Sequence, residues 1–401
     1  MTTIRIDQDA FSKATHMMHG SLQAYIDTKI HPLVRSRIWP RIVVRGHYAR
    51  TGDNVLVSPL EKRDKRFNWH RPTAAVVMEG KGGSQDAITL EICCFPGRDY
   101  VQHYALLIAS HLALRGITAT MSAVEYIPPS REQCIDLFLQ SNLRWMGQVD
   151  TVVLGYVDYL ASTDPPVAWE TGTDAPDQFF AWKQFHRDDG SVVAFVGSMM
   201  SLWGDIIGNL VRVLRQLNGV SRVLYMGKAG SLRPQDPPNE VLATGNVSHM
   251  DCTVRSWKST LDGTLANITA IPNLSHGVHV TVPTPLVETD AWFAQWEDRA
   301  QWVDCEVGHL VEACQADGIQ FAYLHFISDN VARHYPQSLA TERDGVVLQA
   351  RQRVLDTMRR VLADYLCLEV LRSSPSRLGI HEPVPTAAAP GDAEDLNGSR
   401  T

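Results

Sequence analysis

No apolar run in the sequence reaches the roughly 18 residues that a membrane-spanning helix needs, so no membrane partner is expected. No CxxC pair occurs either. The cysteines are Cys93, Cys94, Cys134, Cys252, Cys305, Cys314 and Cys367. An odd number in a long chain fits reduced thiols rather than a disulfide framework or a zinc ribbon. The opening residues, MTTIRIDQDAF, lack the basic-then-apolar order of a signal peptide, which sets the expectation of a cytoplasmic protein. Excess positive charge is missing too: 37 Lys and Arg against 44 Asp and Glu leave a net charge of −7. A chain that coats nucleic acid needs a basic face, so a nucleic-acid partner is not expected. Small anionic ligands stay open, because a pocket needs only a few local donors. HExxH, GxSxG and EF-hand patterns are absent, as is any repeat at solenoid spacing. The closest histidine spacings, His16 with His19 and His276 with His279, have no evident third ligand nearby. Neither a metal nor another cofactor is therefore expected.

What is present is ordinary globular material, 44% hydrophobic and 20% charged over 401 residues, enough for two or three domains. Residues 10–30 read as helical, RIVVRG from Arg41 as a strand, and TAAVVMEG from Thr73 with AITLEICCF from Ala87 as a hairpin. RDYVQHYALLIASHLALRG has helical periodicity with Gly116 as its stop, and a further strand, ITATMSAVEYI, follows. Residues 1–147 thus predict a smaller α+β domain. From about 148 the pattern changes. TVVLGY, VVAFVGS, RVLYMGKAGSL, EVLATGNVS, TLANITAIP and IQFAYLHFISDN read as strands. SLWGDIIGNLVRVLRQL, running directly on from VVAFVGS, and VDCEVGHLVEACQADG read as helices. DGVVLQARQRVLDTMRRVLADYLCLEVLR is a long amphipathic helix. This alternation predicts an α/β domain over 148–372 with a central mixed sheet flanked by helices. The last segment, 373–401, is rich in Pro, Ala, Gly and Ser and reads as a disordered tail.

Ligands of such sheets bind beyond the carboxyl ends of strands, which singles out the loops after Val196, Met226 and Ile327. Gly197 and Ser198 connect a strand to a helix, either as an anion-binding helix start or as a tight connection. Gly227-Lys228-Ala229-Gly230 reads as a glycine turn that lets a ligand come close, or as an ordinary turn. Glu306 sits at the edge of a helix's apolar stripe, in its first turn; a site carboxylate and a solvated acid are both open. Asp329, after the buried-looking AYLHFIS, can face a site or simply make a turn with Ser328 and Asn330. His325 within that strand reads as an internally hydrogen-bonded core histidine.

The stretches VVAFVGSMMS, VLYMGKAGSL, VDCEVGHLVEAC and FAYLHFISDN, in this order over roughly 148–370, resemble the nucleoside phosphorylase and nucleosidase superfamily. RDYVQHYALLIASHLALRGITATMSAVEYIPPSREQCID is similar to the amino-terminal domain of AMP nucleosidases. The resemblance implies an N-glycosidase acting on a purine nucleotide or nucleoside, and assembly as a homo-oligomer. Asp329 would be the general acid that protonates the departing base. Glu306 would hold the ribose hydroxyls. Gly197, Ser198, Gly227, Lys228, Ala229, Gly230, Cys305 and Ser328 would line the substrate. Cys305 stands where the family has methionine, and Lys228 where it usually has a small or hydroxyl residue. Phosphorolytic relatives carry an arginine where Tyr225 stands, and the early GYVDYL loop offers Asp158 and no arginine. Water is therefore the expected acceptor, with phosphorolysis, another glycosyl transfer or a non-catalytic nucleotide sensor as alternatives. Lys228 then either grips a substrate phosphate, fills the inorganic-phosphate site, or is a solvated turn lysine.

Overall fold

The computed structural model describes residues 1–6, 13–50, 52, 54–60, 66–78, 88–172, 178–268, 271, 273–342 and 344–372. The expected tail at 373–401 lies outside the described residues. Two sheets follow one another along the chain. The first uses β1 (Thr2–Ile4), β2 (Arg41–Arg45), β3 (Thr73–Met78), β4 (Ile88–Cys93) and β5 (Ala123–Ile127) in the order β1-β5-β2-β4-β3. Four helices accompany it: α1 (Leu22–Asp27), α2 (Pro32–Ser36), α3 (Arg98–Leu114) and α4 (Arg131–Leu139). The expected hairpin is present as the antiparallel pair β3–β4. Helix α4 starts in a capping box, in which the Ser130 and Gln133 side chains each accept from the other's backbone N–H.

The second sheet contains β6 (Thr151–Gly155), β7 (Phe180–His186), β8 (Val192–Ser198), β9 (Arg222–Ser231), β10 (Leu242–Met250), β11 (Thr253–Ser256), β12 (Leu274–Thr281), β13 (Trp302–Asp304) and β14 (Gln320–Asn330). Its helices are α5 (Val157–Leu160), α6 (Asp205–Asn218), α7 (Asp262–Asn267), α8 (Asp290–Trp296), α9 (Val307–Ala316) and α10 (Gly345–Leu366). Parallel and antiparallel pairs coexist, so this is the mixed α/β sheet that the strand–helix alternation implies. Strand β9 lies between β6 and β14, parallel to both, and eight of its ten residues are buried. That explains its nearly continuous apolar sequence. Pairing also runs in a circle: β9 with β14, β14 with β10, β10 with β12, β12 with β13, and β13 back to β9. Five strands therefore close into a small barrel, whose walls leave no free edge on those pairs.

Packing joins the two sheets. Helix α6 buries Ile206, Ile207, Leu210, Val213 and Leu214 and ends at Gly219 in the left-handed conformation. These residues share one continuous buried cluster with Ile108 and Leu112 of α3 and with Ile42 and Ile92 of the first sheet. Two local expectations are corrected here. TLANITAIP was expected as a strand, but Thr264–Asn267 belong to α7, because Leu261 and Leu265 are spaced four apart and pack together toward α10. The helix after VVAFVGS does not start at once: six residues, Met199–Gly204, separate the end of β8 at Ser198 from the start of α6 at Asp205. All seven cysteines are free, as their odd number suggests. Among the described residues no helix is long and apolar enough to cross a membrane.

Gly155, at the end of β6, has φ of +104°, and a Cβ there would lie 2.0 Å from the Met226 carbonyl oxygen. Both the backbone conformation and the contact demand glycine. Gly155→Ala should lower unfolding stability by about 2 kcal/mol or more, read from the urea midpoint. Gly263→Ala in α7, where a Cβ meets open space, should be neutral or stabilising by up to about 1 kcal/mol.

Candidate active site

Asp329 is placed by a break in register. β14 pairs residue for residue with β9 up to Ile327↔Ala229, and then Asp329, not Ser328, aligns with Gly230. Such a bulge re-aims the side chains after it. Ser328 is thereby left to donate its hydroxyl to Asp329 Oδ1 at 2.6 Å. Gly230 has no side chain to obstruct the acid: a Cβ there would sit 3.3 Å from Asp329 Oδ2 and 3.1 Å from Val303 and Val331. The half-buried Asp329 carboxyl is pushed above the usual carboxylate range by burial, against the pull of Ser328, Lys228 and Arg351.

Glu306 precedes α9 instead of lying in its first turn, as the sequence suggested. The cause is Asp304, whose Oδ1 accepts from the backbone N–H groups of Glu306 at 3.0 Å and Val307 at 3.2 Å and so performs the capping. Glu306 is half-buried, which removes the solvated reading. Burial raises its carboxyl to about 7, with Lys228 and the backbone N–H groups of Cys305 and Gly204 acting in the opposite sense.

Gly227-Lys228-Ala229-Gly230 is not a turn. All four residues lie inside β9, whose ladder with β14 continues to Ser231. Gly227 takes the close approach of His325, since a Cβ would fall 2.8 Å from its Nε2. Ala229 is buried. Lys228 keeps 33% of its side-chain surface and forms an ion pair with Glu342, so it is not a solvated turn lysine. Desolvation and the nearby cations Arg351 and Lys29 bring its ammonium down to about 7, while Asp329 and Glu306 pull it back up. Lys228 is thus in electrostatic reach of both sequence-selected acids, while its direct partner is Glu342.

Gly197 and Ser198 are the last two residues of β8. They are not a helix start, because α6 begins later and its Asp205 carboxylate accepts from the backbone N–H groups of Arg98 and Asp99. The Phe67 ring sits on Gly197, where a Cβ would lie 2.3 Å from it. Asn68 donates its backbone N–H to the Ser198 carbonyl at 2.8 Å. Gly204, further along that loop, is the residue that reaches Glu306. Cys305 is buried among acids, and its thiol is pushed up by burial and by Glu306 and Asp304. Asp158 faces Arg66 at 3.6 Å, both partly exposed.

Several residues of the site carry no local sequence signal. Glu288 is buried 5 residues after Pro283 and its carboxyl is raised well above the usual range by burial and by Asp329. Tyr25 of α1 is buried within the field of Cys305, Glu288 and Asp329. Arg351, a cation on the buried side of α10, donates to Asn239 Oδ1 at 3.0 Å, lies over the Phe326 ring and has no partner for Nη2 among the described residues. A basic residue interrupting the apolar stripe of α10 was the one available hint. The cavity beside Asp329 is small, about 30 Å³, between Met17, Met18 and Ser21 on one side and Asn330, His334 and Tyr335 on the other. It holds little more than a water in this conformation. A cavity of about 310 Å³ lies elsewhere, lined by Arg98, Arg212, Arg255, Asp205 and Glu312.

The fold adds neighbours that histidine spacing along the chain does not show. His279 has no partner in His276, but the fold brings it to Asp304 and His325. His325 itself is buried yet not hydrogen-bonded through either ring nitrogen among the described residues.

No protein-family model matches the sequence. A curated protein named oxidoreductase cns1, from Cordyceps militaris, is 26% identical over 299 residues, which are 67% of this chain and 36% of that protein. The chain thus spans about a third of that relative's length. Among solved structures, a uridine phosphorylase from Vibrio fischeri is similar with a TM-score of 0.44 and 13% identity, over 56% of this chain and 93% of its own. A 5′-methylthioadenosine/S-adenosylhomocysteine nucleosidase from Colwellia psychrerythraea, in complex with adenine, gives 0.40 and 11%, over 55% and 95%. The futalosine hydrolase of Helicobacter pylori gives 0.40 and 16%, over 55% and 98%. In structure the chain is similar to nucleosidases and a nucleoside phosphorylase. With TM-scores under 0.5 that likeness carries no chemistry to Asp329, Glu306 or Lys228, whose own surroundings have to supply it.

Proposed function

We propose that the chain hydrolyses the N-glycosidic bond of a purine nucleotide or nucleoside. The observation that carries the reading is Lys228 near the carboxyl end of β9 and Asp329 at that of β14, over the bare backbone of Gly230, with Glu306 just beyond β13 and in electrostatic reach of Lys228. Cleavage builds positive charge on the sugar and negative charge on the leaving base. Asp329 gives its proton to the base, and its burial keeps that proton on the carboxyl to higher pH than an exposed aspartate would. Glu306 accepts from ribose hydroxyls, contacts that strengthen as charge grows at the sugar carbon. Lys228 and Arg351 form the cationic side of the site. Glu342 is the carboxylate that pairs with Lys228 here, and an anionic 5′ substituent would take its place, with the free Nη2 of Arg351 as a second donor.

One observation favours a second reading. The local motifs lack the arginines of phosphorolytic relatives, but the fold brings Arg351 in from more than a hundred positions away. An inorganic phosphate between Lys228 and Arg351 would make the reaction phosphorolytic.

Asp329→Asn should lower kcat by about 10²–10⁴ with a much smaller change in KM, measured by release of free base. Full activity of that variant on a purine substrate would remove Asp329 from its role. The product decides the acceptor: free ribose or ribose 5-phosphate, at a rate independent of added phosphate, supports hydrolysis, whereas a sugar 1-phosphate supports the second reading. Lys228→Ala should raise KM for a nucleotide roughly 10–100-fold more than for its nucleoside. Because Lys228 is cationic below about 7 and neutral above it, KM for the nucleotide should climb as pH rises through 7. The nucleoside's KM should not follow. Parallel effects on both substrates would take the phosphate away from Lys228.

A further inference from the structure

Inside the barrel lies a polar cluster that the proposed reaction does not use. His279 comes from β12, Asp304 from the end of β13 and His325 from β14. His279 Nε2 is 3.3 Å from Asp304 Oδ1, and His325 Nε2 is 3.9 Å from Asp304 Oδ2. One donor atom from each of the three lies within 4.8 Å of the others. Both histidines are 0% exposed, and the Asp304 side chain 2%. In sequence the three span 46 positions, from 279 to 325; only closure of the barrel unites them.

Ordinary polar packing accounts for part of this. His279 and Asp304 make a buried imidazole–carboxylate contact. It leaves His325 unexplained, since neither of its nitrogens has a hydrogen-bond partner among the described residues. Buried polar atoms without partners are rare in folded proteins because they forfeit water without compensation. The second nitrogen of His279 is better provided for, with Nδ1 3.5 Å from the Thr281 hydroxyl. The Tyr323 hydroxyl, also buried and without a partner, belongs to the same group: its ring packs 4.8 Å from His325 and 5.7 Å from His279.

We propose that His279, Asp304 and His325 bind one divalent first-row transition metal ion inside the barrel, with Zn²⁺ as the best fit. Two imidazole nitrogens and one carboxylate oxygen are a common zinc donor set. Bonds of about 2.0–2.1 Å in a tetrahedron put neighbouring donors about 3.3–3.5 Å apart. His279 Nε2 already has that spacing from Oδ1 at 3.3 Å, while His325 Nε2 lies nearer the other oxygen, Oδ2, at 3.9 Å, so the three donors, now within 4.8 Å of one another, draw together around the ion. Asp304 is oriented for the task by its surroundings. Its Oδ1 accepts from Thr281 at 3.2 Å and from the backbone N–H of Glu306 at 3.0 Å, and the Val307 N–H is shared between Oδ1 and Oδ2 at 3.2 Å each, which fixes the carboxylate plane with Oδ2 on the His325 side. The bound ion would tie β12, β13 and β14 together and hold the carboxylate that caps α9. Its role is therefore structural: it takes no part in the proposed bond cleavage and would act on the cleft only by steadying Asp304 beneath Glu306.

The test uses the full chain, stripped with a chelator and with the exposed thiols Cys252 and Cys367 alkylated. Titration with Co²⁺ alone should produce visible d–d bands of a tetrahedral ion that saturate at one equivalent and disappear when Zn²⁺ is added. Zn²⁺ should also raise the thermal midpoint of the stripped protein. His325→Gln should weaken Co²⁺ binding about 100-fold or more, while His276→Gln, at an exposed position of β12, the strand that carries His279, should leave it unchanged. A wild-type chain that shows no saturable band overturns the proposal, whatever the variants do. So does a folded His325→Gln chain that binds Co²⁺ as tightly as wild type.

Discussion

The path of β9 is the constraint on which the site depends. Its first half, Arg222–Met226, is held between β6 and β14, and its last two residues, Gly230 and Ser231, pair with β13 instead of β6. The strand changes neighbours on one side while staying in register with β14 on the other until Ile327. Two things follow from that exchange. The barrel closes, because β13 can reach β9 only where β6 has departed. A gap also opens along the stretch Gly227–Ala229, which pairs on that side with neither strand among the described residues. Clefts of this kind, where neighbouring strands part company at their carboxyl ends, are where open α/β sheets take ligands. The glycines are consequences of the same geometry: Gly155 lets β6 end against the Met226 carbonyl, and Gly230 gives the Asp329 carboxyl its place.

Charge at the gap is balanced by groups from distant parts of the chain. Glu288, Glu306, Asp329 and Glu342 stand against Lys29, Lys228 and Arg351. In water such groups would hardly notice one another, but here burial removes the screening that separates them. The Glu306 carboxyl rises and the Lys228 ammonium falls, each to about 7, and the Asp329 carboxyl rises as well. Burial thus favours the protonated form of Asp329, the form a general acid needs. Lys29 and Tyr25 belong to the first 30 residues. The amino-terminal region is thus part of the wall of the site and not an appendage to it.

The sequence made the sheet legible and the details of the site less so. β6, β8, β9, β10 and β14 are short apolar runs and stood out as strands. α6 and α10 stood out by their stripes. Asp329 and Glu306 were visible because ordered motifs flank them. GKAG was mistaken for a turn, since two glycines in four residues usually break a strand, and only the pairing with β14 on one side and β13 at its end shows why they do not. Glu306 was placed in a helix that starts one residue later, because nothing local reveals that Asp304 does the capping. Arg351, Glu288 and Glu342 were invisible: each is an ordinary charged residue in its own segment and acquires a role only from where the segment packs. His279 and His325 were dismissed for the same reason, as spacing along the chain says little about donors contributed by separate strands of a closed barrel.

Asp304 joins the two halves of this picture. Oδ1 of its carboxylate accepts from the backbone N–H of Glu306, both oxygens share that of Val307, and Oδ2 lies on the side of His325 in the barrel interior. The orientation of Glu306 toward Lys228 is therefore set by a residue whose own position depends on β12, β13 and β14 being closed. A disturbance inside the barrel that turns the Asp304 carboxylate would uncap α9 and swing the backbone at Glu306, with no contact to any ligand in the cleft. The converse does not hold, because Lys228 and Glu342 can separate without touching the barrel wall. The Glu306 side of the cleft is thus tied to the backbone through the Asp304 cap, whereas Lys228 and Glu342 meet through their side chains.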